Sequence, residues 1–181
     1  RTQGAQERRL RIISGRWKSR RLCSLKGTTV RPTTDRVREA WMSAIGLRMD
    51  EMTVLDLFSG SGALGLEVLS RGASSVVFVE HGRRALQVIR ANIDVLGAQA
   101  ECAVIEDDVF RYLGGNRDVF DVALADPPYR TKASARLVSC FLEKPFARQL
   151  WLEHRWGEDI DTPDVARTRR YGDTALTTLT A

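Results

Sequence analysis

The run from Val54 to Gly65 constrains the fold of this chain more than any other stretch. It reads Val-Leu-Asp-Leu-Phe-Ser-Gly-Ser-Gly-Ala-Leu-Gly, which is an apolar strand pattern, a glycine turn and a helix start. Gly60 and Gly62 let the backbone approach a ligand because they carry no Cβ. The helix N-terminus behind them offers unpaired N–H groups and a positive dipole end. The run therefore predicts a strand-turn-helix that holds a polar small molecule, either anionic or bearing a carboxylate.

Asp56 separates two cofactor classes that such a turn could serve. The spacing Gly60-x-Gly62-x-x-Gly65 fits the dinucleotide pattern, which alone is a weak signal. An acid at the C-terminal end of the strand would lie where open α/β sheets bind ligands, and it would repel a pyrophosphate. The same acid would attract the ammonium and sulfonium groups of S-adenosylmethionine. The structural alternative is that Asp56 only caps the turn.

Composition indicates one ordinary globular domain. The 181 residues are 43% hydrophobic and 28% charged, enough for a sizeable core. No apolar run approaches the roughly 18 residues that cross a bilayer, and residues 1–9 lack the apolar segment of a signal peptide. Three separated cysteines and two histidines predict thiols in a reducing compartment and no metal site. We therefore expect a cytoplasmic monomer without a metal.

Positive charge is concentrated in the first 38 residues. Twelve Arg and Lys residues stand there against two acids, a net charge of +10, whereas the whole chain carries +5. Apolar residues alternate with these charges, which favours a nucleic-acid contact surface over a solvated arm. The candidate contacts are Arg11, Arg16, Trp17, Lys18, Arg20, Arg21, Arg31 and Arg36. For Trp17, stacking on a base and packing within the protein are equally supported.

From residue 53 onward, strand and helix patterns alternate along the chain. Strands are predicted at 53–58, 76–80, 102–106, 119–125 and 149–154, and helices at about 62–71, 82–96, 107–114 and 131–142. Nearly continuous apolar strands are typical of parallel sheets covered on both faces. Residues 165–171 and 175–179 predict a closing antiparallel hairpin. The pattern predicts a Rossmann-like, doubly wound α/β fold with a mostly parallel seven-stranded sheet.

The residues before this sheet predict an extension and one helix. Residues 10–13 and 20–25 read as the two strands of a β-hairpin. Thr34 or Asp35 would cap a helix that runs to about Ile45, with Gly46 as its stop. This organisation predicts a basic arm with a hairpin over residues 1–30 and a main domain over residues 31–181.

Acidic residues follow three of the predicted strands. Asp56, Glu80 and Asp126 stand at the ends of the first, second and fourth strands, and the C-terminal ends of parallel strands line one crevice. Glu80 lies where an acid binds both ribose hydroxyls, a role that nicotinamide and S-adenosyl cofactors share. After the third strand, Asp107 or Asp108 could accept a hydrogen bond from an adenine amine, or cap the next helix.

The segment Asp126-Pro127-Pro128-Tyr129 distinguishes between these chemistries. Two prolines predict a rigid loop that lacks N–H donors at those positions. The Asp126 carboxylate and the Pro127 carbonyl are acceptors, and Tyr129 adds a stacking face. The exocyclic amine of a nucleobase needs two acceptors and a stacking surface, and its orientation toward a sulfonium methyl would favour transfer. An ordinary turn after a strand is the alternative interpretation.

Asp-Pro-Pro-Tyr after the fourth strand is similar to the motif of amino methyltransferases that act on adenine or guanine. Together with residues 11–15, 31–39, 56–67 and 170–174, it resembles the RsmD family. That family consists of bacterial enzymes that methylate N2 of one guanine in 16S ribosomal RNA. The resemblance runs from Arg11 to Leu179.

The resemblance implies S-adenosyl-L-methionine as the cofactor and 16S rRNA, within a small-subunit assembly particle, as the partner. Asp126, Pro127, Pro128 and Tyr129 would act in catalysis. The implied cofactor-binding residues are Thr33, Thr34, Asp56, Phe58, Ser59, Gly60, Ser61, Gly62, Glu80, His81, Asp108, Val109 and Asp126. An adenine-N6 methyltransferase with the same loop, a nicotinamide-dependent oxidoreductase and a non-catalytic RNA-binding protein are the alternatives. The oxidoreductase would leave residues 126–129 and the basic front unexplained.

Overall fold

The structure is a computed structural model that describes residues 10–25, 35–45, 49–129, 131–164 and 166–181. The proposed domain boundary at residue 30 and the predicted stop at Gly46 lie outside these ranges. So do Arg31, Thr33 and Thr34.

The described chain contains five α-helices and seven strands. The strands are β1 (Thr53–Leu57), β2 (Ser75–Glu80), β3 (Cys102–Glu106), β4 (Phe120–Ala125), β5 (Ala147–Arg155), β6 (Arg167–Tyr171) and β7 (Thr174–Thr180). The helices are α1 (Asp35–Ile45), α2 (Ala63–Ser70), α3 (Arg83–Leu96), α4 (Val109–Gly115) and α5 (Ala133–Glu143). A short 3₁₀ turn, Gln99–Glu101, precedes β3.

The strands form one sheet in the order β3-β2-β1-β4-β5-β7-β6. Strands β1 to β5 are parallel, whereas β7 runs antiparallel between β5 and β6. The predicted seven-stranded sheet with a C-terminal hairpin is therefore confirmed. Because the chain reverses its direction of winding between β1 and β4, the ligand crevice of such a fold is expected at the carboxyl ends of these two strands.

The differences in element boundaries have local causes. Helix α2 begins one residue after the prediction because Gly62 has a φ of 74°, in the left-handed region. Helix α4 begins at Val109 because the Asp108 side chain caps it and keeps Asp108 extended. The turn of the closing hairpin has Gly172 with a φ of 66°, as the predicted Gly-Asp turn requires.

Apolar residues cover both faces of the sheet. On one face, Trp41 of α1 and Leu66 of α2 are buried in one cluster with Phe78. On the other face, Leu55 and Phe141 belong to a second buried cluster with residues of α4 and α5. Alternating residues of β1 thus enter opposite layers, as expected for a strand covered on both sides.

The N-terminal extension over residues 10–25 packs on the first of these clusters. The predicted hairpin is reduced to a single antiparallel bridge between Arg11 and Arg21. Ile12 is fully buried and Leu22 is 8% exposed. Backbone bonds from the Ile12 N–H to the Arg20 carbonyl and from the Leu22 N–H to the Leu10 carbonyl flank this bridge, and the Ile13 backbone N–H donates to the Glu67 carboxylate of α2 at 2.7 Å. The described extension is therefore part of the core of the main domain.

Candidate active site

The loop between β1 and α2 is the glycine turn that the sequence predicts, and its backbone enters the left-handed region at three residues. Phe58, Gly60 and Gly62 have φ angles of 57°, 55° and 74°. The Ser59 hydroxyl is buried and donates to the Asp56 carbonyl at 2.6 Å. The Gly62 N–H donates to the Ser59 carbonyl at 2.7 Å. Ser59 therefore stabilises the loop from inside, while a Cβ at Gly60 would meet only the Phe58 carbonyl oxygen, at 4.0 Å.

Asp56 lies beneath this loop and faces the start of α2. Its side chain is 2% exposed, and its Oδ2 accepts the Gly65 backbone N–H at 2.9 Å. This contact satisfies an N–H group at the helix N-terminus, as the capping alternative predicted. Burial is the main cause that raises the pKa of Asp56 from 3.8 to about 7, and the nearby Glu80 also raises it. A direct contact of Asp56 with a cofactor stays a prediction.

Gly65 allows this close approach. A Cβ at Gly65 would lie 2.5 Å from Cε1 of Phe78 and 2.8 Å from Oδ2 of Asp56. The third glycine of the run thus serves the packing of α2 against the sheet, and the first two shape the loop. Because only the first two glycines shape the loop, the glycine spacing alone did not distinguish a dinucleotide from S-adenosylmethionine.

Glu80 at the end of β2 joins the glycine loop to the next strand end. Its Oε2 accepts the Gly60 N–H at 3.0 Å, and its Oε1 accepts the N–H groups of His81 and Gly82 at 2.9 and 2.8 Å. The Glu80 side chain is 11% exposed and that of His81 is 74% exposed. These backbone bonds occupy three of about four acceptor positions of the carboxylate. Binding both ribose hydroxyls would therefore require one of these three backbone hydrogen bonds to lengthen.

The two aspartates after β3 have different partners. Oδ1 of Asp108 accepts the N–H groups of Phe110 and Arg111, both at 3.0 Å, so Asp108 is the N-cap of α4. Asp107 accepts the Asp108 N–H and forms an ion pair with Arg111. Val109 is buried. The capping alternative is thus confirmed for Asp108, while the choice of an adenine contact stays a prediction.

The Asp126–Tyr129 segment leaves β4 at the crevice, next to β1 in the sheet. Asp126 is half-buried, Pro127 is buried and Pro128 is exposed. The Pro128 carbonyl accepts the Thr131 hydroxyl at 2.8 Å. The Tyr129 hydroxyl donates to Oε1 of Glu153 at 3.2 Å and lies 3.2 Å from the Thr174 hydroxyl. The loop is therefore anchored at its tyrosine end.

Two phenylalanines and an arginine pack together beside the glycine loop. Phe58 and Phe110 form an edge-to-face pair with ring centroids 6.1 Å apart, and the Arg136 guanidinium lies 3.9 Å from the centroid of Phe110. Arg136 was not predicted from the sequence. In the sequence, the only signal for Arg136 was a positive charge near the start of the helix that follows the Asp126–Tyr129 loop.

Glu153, Thr174 and Asn92 are further buried polar residues that sequence reasoning missed. Glu153 is 4% exposed and Asn92 is fully buried. The Asn92 side chain binds the backbone of Cys23 in the extension and donates to the Ser61 carbonyl at 2.9 Å. The position of Glu153 directly after the apolar run Leu150-Trp151-Leu152 was the only signal available for it.

The described residues of the predicted RNA-binding set form an exposed basic surface. Arg11, Lys18, Arg20 and Arg21 are exposed. Arg16 pairs with Glu101 at 2.6 Å, and its guanidinium lies 3.9 Å from the centroid of the Trp17 ring. Trp17 is partly buried against the core, which supports its packing role. Arg36 lies in α1, but its side chain is outside the described part of the structure.

Metal sites and membrane spans are both absent from the described ranges. These ranges contain no cluster of three or more His, Cys, Asp or Glu residues arranged to hold a metal ion. No helix in the same part of the chain is long and apolar enough to cross a membrane.

Comparison with known proteins gives a family. The match to the family described as "Conserved hypothetical protein 95" covers residues 10–179. The chain belongs to this family, the RsmD family. Ribosomal RNA small subunit methyltransferase D of Haemophilus influenzae is 31% identical over 161 residues, which cover 86% of this chain and 83% of the relative.

Solved structures share the fold. A hypothetical protein of Thermus thermophilus superimposes with a TM-score of 0.81 and 29% identity, over 94% of this chain and 99% of that one. A methyltransferase-type chain, SMU.776, solved in complex with SAH, has a TM-score of 0.58 and 18% identity. That match covers 79% of this chain and 48% of the other, and at this identity it shows the fold alone.

Proposed function

We propose that this RsmD-family protein transfers a methyl group from S-adenosyl-L-methionine to the exocyclic N2 amine of one guanine in 16S ribosomal RNA. The observation that carries the proposal is the position of the Asp126–Tyr129 loop at the carboxyl end of β4, directly beside β1 and its glycine loop. A nucleobase amine on this loop would lie next to a cofactor on the glycine loop. The name of the Haemophilus influenzae relative supports an rRNA substrate.

The residues of the crevice fit the proposed cofactor. A Cβ at Gly60 would meet only the Phe58 carbonyl oxygen, at 4.0 Å, so a ligand could approach the backbone there. Glu80, fixed by three backbone N–H groups, presents an anionic acceptor suited to ribose hydroxyls. Asp108 and Val109 would lie beside the adenine, and Asp56 would hold the loop from below. When bound, S-adenosylmethionine would supply a methyl group on a positively charged sulfur.

The substrate loop would orient and stabilise the amine. The lone pair of guanine N2 is delocalised into the ring, so the nitrogen becomes more nucleophilic as it pyramidalises and gains positive charge. The Asp126 carboxylate and the Pro127 carbonyl, as acceptors for its N–H bonds, would stabilise that charge. Preorganised groups of this kind commonly contribute about 10²–10³ in rate. The nitrogen would form a bond to the methyl carbon as the bond between that carbon and the sulfur breaks, and it would then release one proton to water.

The exposed basic surface of the extension would bind the RNA backbone. Lys18 and Arg21 are exposed, and the extension is fixed to the main domain through the Glu67 and Ser70 side chains of α2. The Asn92 amide links the same extension to the glycine loop. Bound RNA would therefore have a fixed position relative to the cofactor, which a flexible arm would not provide.

An adenine-N6 methyltransferase is the second candidate, because the same loop chemistry would accept an adenine amine. Methylation assays with radiolabelled S-adenosylmethionine and small-subunit particles, stripped 16S rRNA or DNA would separate the two. We expect one labelled guanine in the rRNA, identified by nuclease digestion and mass spectrometry. A label on adenine, or on DNA alone, would contradict the proposal.

A further inference from the structure

A buried polar cluster lies behind the Asp126–Tyr129 loop and has no part in the function proposed above. Glu153 of β5 is 4% exposed, Thr174 of β7 is 4% exposed and Trp41 of α1 is 1% exposed. Oε2 of Glu153 accepts the Trp41 Nε1–H at 3.0 Å, and Oε1 accepts the Tyr129 hydroxyl at 3.2 Å. One carboxylate thus binds two elements that lie far apart in the sequence.

The setting of Glu153 indicates a specific role. Its neighbours Trp151, Leu152 and His154 in β5 are also buried, and the burial of a carboxylate is unfavourable unless its partners offset the lost hydration. An apolar residue would pack in such a strand without that cost. The hydrogen bonds to Trp41 and Tyr129 are the gain that an apolar residue could not provide.

We propose that Glu153 is a positioning residue for the methyl transfer, which fixes the ring of Tyr129 through its hydroxyl and ties the substrate loop to α1 through Trp41. This inference rests on the proposed function, because Tyr129 is taken to hold the target base. The face of the Tyr129 ring would then stack on the target base, while its hydroxyl would hold the loop through the bond to Glu153.

Thr174 supports the same anchor from the closing hairpin. Its hydroxyl lies 3.2 Å from that of Tyr129, and the residue pairs with Arg155 in β5 and Tyr171 in β6. The conformation of the Gly172 turn sets this pairing. The Arg170–Thr174 block, which the sequence analysis assigned no chemistry, thereby gains a function.

The protonation of Tyr129 suits an anchor. Burial is the first cause that raises its pKa to about 12, and the negative charge of Glu153 also contributes. The phenol therefore keeps its proton and remains a donor to the Glu153 carboxylate at every pH of a methylation assay.

The test is the Glu153→Gln substitution in the full chain, with Glu143→Gln on the exposed end of α5 as the matched control. Trp41 can only donate, whereas a tyrosine hydroxyl can also accept. The glutamine oxygen would thus turn to Trp41 and its amino group to Tyr129, replacing a charge-assisted bond with a neutral one. Single-turnover methylation at saturating RNA should fall about tenfold, with unchanged S-adenosylmethionine affinity by calorimetry. A parent-like rate would overturn the proposal.

A double-mutant cycle with Tyr129→Phe tests whether Glu153 acts through the hydroxyl. Tyr129→Phe keeps the ring and should itself slow single-turnover transfer about tenfold or more. Once that hydroxyl is absent, Glu153→Gln should change the rate little further, because coupled residues are not additive. Fully additive losses would refute an action through Tyr129. If Glu153→Gln fails to fold, a parent-like rate of Tyr129→Phe alone would overturn the proposal.

A readout independent of activity separates this inference from the proposed function. The protein is labelled with 3-fluorotyrosine for ¹⁹F NMR. The resonance of Tyr129 is identified as the one that disappears in the Tyr129→Phe variant. Glu153→Gln should shift this resonance, because the phenol would lose its charge-assisted bond to the carboxylate, and an unchanged resonance would contradict the anchor. If the parent transfers no methyl group to 16S rRNA while the resonance does shift, the proposed function fails and the anchoring stands.

Discussion

The buried carboxylate of Asp56 should make the stability of the folded chain depend on pH. Asp56 is 2% exposed, and its pKa is about 7 in the folded state against 3.8 without the burial. The folded state thus holds a proton between these two values that the unfolded state has released. Stability from this residue is fully present below pH 3.8 and is lost as the pH rises through 7.

The magnitude follows from the size of the shift. A change of one pKa unit corresponds to about 1.4 kcal/mol, so the difference between 3.8 and about 7 amounts to about 4 kcal/mol at most. Asp56→Asn has nearly the same shape, cannot ionise and can still accept the Gly65 N–H. The free energy of unfolding of the variant minus that of the parent should therefore increase between pH 4 and pH 8 and level off above.

Urea unfolding of both proteins at a series of pH values measures this difference, with the dependence on urea concentration compared as a check on two-state behaviour. Asp121→Asn is an informative control because a backbone N–H of Thr53 lowers the pKa of Asp121. Its contribution has the opposite sign: it is present above the ordinary pKa and is lost as the pH falls through the lowered value. Parallel stability curves for Asp56→Asn and the parent would refute the burial of an ionisable Asp56.

Three further predictions concern the proposed site. Glu80→Gln should lower S-adenosylmethionine affinity about tenfold in calorimetry, since one charged acceptor becomes a neutral donor; unchanged affinity would remove Glu80 from the cofactor site. Lys18→Glu with Arg21→Glu should weaken RNA binding and flatten its dependence on salt, whereas Arg117→Glu, just before β4 at the other end of the strands, should not. Asp126→Asn should slow single-turnover methylation by about 10²–10³, and a parent-like rate would show that the loop is not catalytic.

The order and type of the main elements could be predicted because their signals are local. The apolar runs gave the strands to within two residues, and a Gly-Asp pair gave the turn before Thr174. The predicted hairpin has a single bridge because the Arg20 N–H donates to the Trp17 carbonyl within the turn, while the Ser19 N–H takes the Ile12 carbonyl that Arg20 would otherwise pair with. The bond between the Ile13 N–H and Glu67, on a distant helix, could not be predicted from residues 10–25 alone.

The candidate site could be predicted in position but only partly in contacts. Topology alone brings Asp56 and Asp126 to adjacent strand ends, whereas the burial of Asp56 depends on how closely Gly65 approaches the sheet. The sequence placed Glu153 within a predicted strand. It could not predict the hydrogen bond from Trp41, because that residue lies 112 residues away in the sequence. Such contacts arise only when the whole sheet has formed.

The three acids at the strand ends occupy equivalent places, and their burial decides what each can bind. Asp56 is 2% exposed and already accepts a backbone N–H of α2. Glu80 is 11% exposed along its side chain and shares its oxygens between the loop and the crevice. Asp126 is half-buried on a loop stiffened by two prolines. Since a carboxylate must be accessible to reach a bound molecule, we infer that Asp126 and Glu80 contact ligands more readily than Asp56, whose burial favours a role in holding the loop.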